Sequence, residues 1–146
     1  MDHIDIKIIQ MLQENAKVSV KEIAKAVFLS APAVSSRIER LTDEGLIKGY
    51  HMTIDHRKLG YDVTAFISLE ISPSQKAQFY PFIKSCPNVL ECNCVTGQYS
   101  QLIKVAFRKT SELETFLGSL QQYGRTSTQI VFSTPVEPRD INLGAQ

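Results

Sequence analysis

The chain has no tryptophan and only three cysteines, Cys86, Cys92 and Cys94, all within one short stretch. An odd, clustered set of thiols does not make a disulfide framework. With no histidine nearby it also offers too few ligands for structural zinc, so no metal site is expected and the three read as small buried hydrophobes. Histidine stops at His56, after His3 and His51. The second half therefore holds no imidazole, and no Ser/His/Asp or paired-carboxylate constellation is recognisable. The reading is not an enzyme, and no cofactor is called for. No apolar run approaches the about 18 residues of a membrane span. The opening "MDHIDIKIIQ" places acids where a secretory leader needs bases, so a cytoplasmic protein without a membrane partner is expected. An excess of basic charge is missing too. The formal net charge is +1, and acids nearly match bases on both sides of Gly60. That argues against a non-specific architectural DNA binder, whose affinity comes from neutralising phosphates. Any DNA contact must rest on which charges share the docking face.

What is present is enough for a core. A chain of 146 residues with 43% hydrophobic residues can form one domain or two small ones. Ile4, Ile8 and Leu12 recur at helical spacing, with Ile9 widening the stripe and Asp2 placed to cap the first amides. That helix should end near Asn15. "SVKE" gives the second helix a capping box of Ser19 and Glu22 ahead of Ile23, Ala24 and Val27. Only "FLS" separates it from a third helix that opens at Ser30, carries Pro32 in its first turn, turns Val34, Ile38 and Leu41 inward and ends at Gly45. Three close helices with so short a final turn form a helix-turn-helix, whose last helix enters the major groove of DNA.

If Val34, Ile38 and Leu41 face inward, Pro32, Ser36 and Arg40 face out, flanked by Ala33 and Ser35. Small side chains let the helix backbone approach base edges, and Arg40 is placed to reach a guanine edge or a phosphate. Ser30, Pro32, Ala33, Ser35, Ser36, Arg37 and Arg40 are thus the candidate DNA-binding residues, with double-stranded DNA as partner. Arg37, nearer the core edge, is also placed to pair with Glu44 or Glu39. "LIKGYHMTID" alternates like a strand, suggesting a small wing, and the segment around "HRKLG" reads as a linker.

From Val63 the period becomes two, with Val63, Ala65, Ile67, Leu69 and Ile71 on one side. A helical stretch opens at Ser74 and contains Phe79, Phe82 and Ile83, with Pro81 expected to remove a backbone bond and bend it. Strands follow at Val89 to Thr96 and Gln101 to Phe107. "SELE" predicts a capping box of Ser111 and Glu114 for a helix buried through Leu113, Phe116, Leu117 and Leu120, and "QIVFS" at 129–133 reads as the last strand. The fold class is α+β: an N-terminal winged helix-turn-helix over 1–54, a linker over 55–62 and a C-terminal ferredoxin-like βαββαβ domain over 63–146. Phe66 and Leu102 face away from the buried stripe, which suggests that a partner sheet covers them. The turn formed by Thr96, Gly97, Gln98, Tyr99, Ser100 and Gln101 is a candidate effector site, because a glycine there lets backbone amides approach a carboxylate.

"RIERLTDEGLIKGY", then "KLGY", then "CPNVLECNCVTGQYSQLIKV", in this order and spacing, resemble the Lrp/AsnC (feast/famine) transcription regulators along essentially the whole chain. The resemblance implies a sequence-specific regulator whose homodimers bind operator DNA and often assemble into octamers. It also implies an amino-acid effector held near the hairpin glycine at an interface between dimers, with contributions from Gly97, Tyr99, Ser100 and the "TST" of Thr126, Ser127 and Thr128. The family commonly has an aspartate where this chain has Ser100. A serine hydroxyl offers an effector's ammonium only a neutral hydrogen bond. The alternative is a siroheme-decarboxylase-like enzyme, since such enzymes resemble the family in both domains.

Overall fold

The first helix begins where two carboxylates close its end. The Asp2 carboxylate accepts from the Asp5 amide at 2.8 Å, and that of Asp5 accepts from the Asp2 amide at 2.9 Å. In the computed structural model, which describes residues 1–144, this reciprocal cap starts α1 (His3–Glu14). Ser19 and Glu22 make the expected capping box for α2 (Val20–Val27), and Ser30 caps α3 (Ala31–Asp43). Beyond α3 the Leu46 amide donates to Leu41 and the Gly45 amide to Thr42, which satisfies the last carbonyls of the helix. Ile8, Ile23, Ala24 and Val34 form the core of this unit, with Ile4, Leu12, Val27 and Ile38 packed around it.

Residues 46–55 form no strand. The expected wing is instead irregular backbone that leaves Leu46, Tyr50, Met52 and Ile54 exposed. An alternating segment needs a partner to become a ladder, and this one pairs with none of the described residues. By compactness the chain divides into Met1–Thr53, joined by the tail from Glu137, and Ile54–Val136. The second unit opens on a single 3₁₀ turn at Arg57–Leu59.

The second unit contains β1 (Val63–Ile71), α4 (Lys76–Ser85), β2 (Val89–Cys94), β3 (Gln101–Phe107), α5 (Thr110–Leu120) and β4 (Gly124–Ile130). The four strands form an antiparallel sheet in the order β2-β3-β1-β4. The apolar stripe of β1 is buried along its length, as its period predicts, and packs with Phe79, Ile83, Ile103, Val105, Leu113 and Leu120. Phe79, Phe82 and Tyr123 stack edge to face or tilted within that layer.

Four expectations about the second unit need correction. The last strand is Gly124–Ile130, so "TST" lies inside it and most of "QIVFS" beyond it. Helix α5 begins at Thr110 without a side-chain cap, and it is Glu112, not Glu114, that reaches back, accepting from the Arg108 amide. Ser111 is therefore already inside the helix. Of the cysteines, Cys86 and Cys92 are half-buried but Cys94 is exposed near the end of an edge strand. Helix α4 starts at Lys76 after a 3₁₀ turn, and exposed Pro81 sits within it, unable to donate to the Ala77 carbonyl.

Gly124 starts β4 at φ +156°, hard against β1, where an added Cβ would run into the Glu70 carbonyl oxygen. Gly124→Ala is expected to lower stability by about 3 kcal/mol through backbone strain and displaced pairing. Urea denaturation of the parent and the variant measures this directly.

Candidate functional site

The outward face of α3 is as small as its sequence suggests. Ser30, Pro32, Ser35 and Ser36 are exposed, while Ala33 is half-buried. Ser30 accepts from the Ala33 amide at 3.3 Å, and the first turn carries no acidic residue. The helix N-terminus thus presents small side chains and no repelling charge to an approaching phosphate or base.

The two arginines of α3 are held on the protein itself. Arg37 donates from Nη1 to Asp2 at 2.8 Å and to Asp5 at 2.7 Å, rather than pairing with Glu44 or Glu39. Arg40 donates from Nη2 to Asp5 at 2.8 Å and from Nη1 to Glu44 at 2.9 Å. Asp5 is 1% exposed and lies between both guanidinium groups, so one carboxylate of α1 fixes two turns of α3. Burial pushes the Asp5 carboxyl up, but the Asp2 amide, Arg37 and Arg40 outweigh it and hold it at about 2. Glu44 and Asp5 in turn raise Arg40 above its ordinary value. Sequence reading recognised Asp2 as a cap but missed Asp5. The signal was there: two aspartates three residues apart on the first helix, matched by two arginines three residues apart on the third.

The β2–β3 turn holds the other candidate residues. The Val95 amide donates to the Ser100 carbonyl at 2.9 Å, which closes the turn below Gly97. Gly97 has φ +104°, and apart from its chain neighbours no atom among the described residues lies within 4 Å of where its Cβ would be, so this position faces open space. The Ser100 hydroxyl is buried and has no hydrogen-bond partner among the described residues. Gln101 is fully buried; its Nε2 lies 3.4 Å from the Tyr80 hydroxyl and its Oε1 accepts from the Cys92 thiol at 3.8 Å. Gln98 donates to Glu70 at 3.3 Å, tying the turn to the end of β1.

Strand register divides the "TST" segment. Thr126 and Thr128 pair with Leu69 and Ile67, so they lie on the helix-covered face, whereas Ser127 pairs with Ser68 on the open face. Glu70 pairs with Arg125 on that open face as well. The structure therefore gathers Gln98, Glu70, Arg125 and Ser127 at one end of the open face. Glu70 and Arg125 were absent from the sequence reading because nothing local marks a charged strand end as part of a site.

Two family profiles match the chain, one in each part of the sequence. Residues 1–48 match winged helix-turn-helix DNA-binding domains, and residues 64–141 match the Lrp/AsnC ligand binding domain. A helix-turn-helix on one unit and a ligand-binding sheet domain on the other define a DNA-binding transcriptional regulator. The chain is 36% identical over 134 residues to the uncharacterized regulator YezC of Bacillus subtilis, an alignment covering 92% of this chain and 95% of the relative. It belongs to the Lrp/AsnC family. Its fold superposes on B. subtilis LrpC with a TM-score of 0.88 at 27% identity, covering 94% of this chain and 99% of the other. Escherichia coli AsnC gives 0.87 at 29% identity, covering 96% and 97%.

The Asp5 anchor has a testable pH signature. Its carboxyl lies below the ordinary value of 3.8, so its contribution is complete above that value and is lost as pH falls toward 2. After allowing for the solvent-facing sides of the arginines, that contribution is about 1–2 kcal/mol. Asp5→Asn should cost about 2 kcal/mol at pH 7, with a smaller further loss than the parent shows between pH 4 and pH 2. Chemical denaturation at a series of pH values checks both.

Proposed function

We propose that this regulator binds operator DNA as a homodimer, reading bases with the small face of α3, and that an amino acid bound at the open end of the sheet tunes that activity. The observation that carries the effector half is the Ser100 hydroxyl, buried beside an open glycine turn without a partner. A buried, unpaired polar atom is costly, and a ligand that hydrogen-bonds it removes that cost. Exposed amides around Gly97 suit an α-carboxylate. Ser100 carries no charge for an α-ammonium, but Glu70, hydrogen-bonded to Gln98 at the same sheet end, supplies a carboxylate. In this reading Thr96, Gly97, Gln98, Tyr99, Ser100 and Gln101 shape the turn, Glu70 and Ser127 lie toward the ligand, and Thr126 and Thr128 support the strand from its other face.

Dimerisation is supported by the same face. Phe66 and Leu102 are only half-buried there, and the Lys104 ammonium lies 5.8 Å from the Phe66 ring. A second sheet packed on this face buries both residues and closes the effector site from above; larger closed assemblies such as octamers are built from the same dimer. The DNA half rests on Ser30, Pro32, Ala33, Ser35 and Ser36 as the reading surface, with Arg37 and Arg40 at its flank. The regulator reading is preferred over the siroheme-decarboxylase alternative because the relatives matched over nearly the whole chain are regulators.

Duplexes enriched by the full chain from a random pool should share a half-site repeated about one or more helical turns apart. Arg40→Ala should cost roughly 1–3 kcal/mol of specific affinity in gel shifts; parent-like binding to selected and scrambled duplexes removes Arg40 from the interface. Sedimentation should give a dimer or a multiple of it, reduced by Phe66→Glu. Calorimetry with the twenty amino acids should find heat with at least one, lost in Gly97→Trp and weakened in Glu70→Gln. Heat unchanged in both variants would put the ligand elsewhere.

A further inference from the structure

Phe28 stands between α2 and α3 with φ 56° and ψ 41°, in the left-handed region. Five glycines adopt positive φ, namely Gly45, Gly49, Gly60, Gly97 and Gly124; among the described residues Phe28 is the only other residue to do so. A bulky aromatic is strained in this conformation, and glycine is not. Burial gives nothing back, because Phe28 is 94% exposed. The left-handed turn itself caps α2, since the Leu29 amide donates to the Ala24 carbonyl at 3.0 Å; what nothing among the described residues accounts for is an uncovered aromatic ring where a glycine would fit without strain.

The position itself points to the occupant. Phe28 lies two residues before Ser30, the cap of α3, and like Pro32, Ser35 and Ser36 of that helix it is exposed. Exposed Lys21 and Lys25 stand one turn apart on α2, leading toward it. These are neighbours suited to a duplex, whose major groove offers one strongly apolar group, the thymine methyl, among its polar base edges. Resting on the reading of α3 as the DNA-contacting helix, we propose that Phe28 is a specificity-determining residue, its ring packing on a thymine methyl at the edge of each half-site. A glycine at this position would leave the backbone unstrained but would offer the groove edge no apolar ring.

Phe28→Gly and Phe28→Asn both suit the backbone, so both variants should melt no lower than the parent while binding the selected duplex about tenfold more weakly. Phe28→Tyr should bind within about threefold of the parent, since it keeps the apolar ring face. Replacing thymine by deoxyuridine one position at a time should reveal at least one methyl per half-site that matters to the parent and not to Phe28→Gly. Parent-like affinity in the Gly and Asn variants overturns the proposal. So does a marked drop in their melting temperature, which would make the ring structural, or a parent indifferent to every methyl. A change in sedimentation with DNA affinity intact assigns the ring to a protein contact and also overturns it. If the parent enriches no duplex, the broader DNA reading fails; if it does and the variants match it, only Phe28's role fails.

Discussion

The buried carboxylate of Asp5 is the point on which the geometry of the first unit turns. It closes the start of its own helix through the Asp2 amide and at the same time accepts from guanidinium groups on two successive turns of α3. Apolar packing alone leaves a helix some freedom to roll or slide over its neighbours, because dispersion contacts are weakly directional. Three charge-assisted bonds to one carboxylate add direction. They fix which residues of α3 face outward, and so make the small side chains of Pro32, Ser35 and Ser36 a defined surface. The arginines belong first to the scaffold, and whatever they give to DNA comes from groups already committed to two carboxylates each.

The parts legible in the sequence were those written in short-range code. The Ser19–Glu22 capping box, the Ser30 cap of α3 and the alternation of β1 each depend on residues within a few positions of one another. The misplaced parts depend on distant partners. β4 is polar along "GRTSTQ" and is a strand because β1 pairs with it, whereas "QIVFS" has the composition of a strand but little partner beyond Ile130. Leu46 to Ile54 makes the same point in reverse, an alternating pattern without a ladder. The Ser111 cap failed because Glu112 reached the Arg108 amide first and started the helix earlier.

The candidate sites show the same division. The glycine turn was visible as a turn, but its connection to Glu70 runs across 28 residues of sequence and could not be read from the turn alone. Gln101 is a polar residue inside an otherwise apolar strand, and only the structure shows it spanning from the Tyr80 hydroxyl to the Cys92 thiol. That buried amide ties the base of the turn to α4 and to β2.

Because the anchoring of α3 sits on its inner side, its outer side is free to vary. Ser35 and Ser36 carry no packing duty, and substitutions there leave Val34, Leu41 and the Asp5 contacts in place. On the proposed reading of α3, a duplicated copy of such a gene can drift in target preference through a handful of surface codons while its product keeps folding. The same separation makes this helix a practical starting point for reprogramming, with a library confined to the exposed positions and the aspartate and both arginines held fixed.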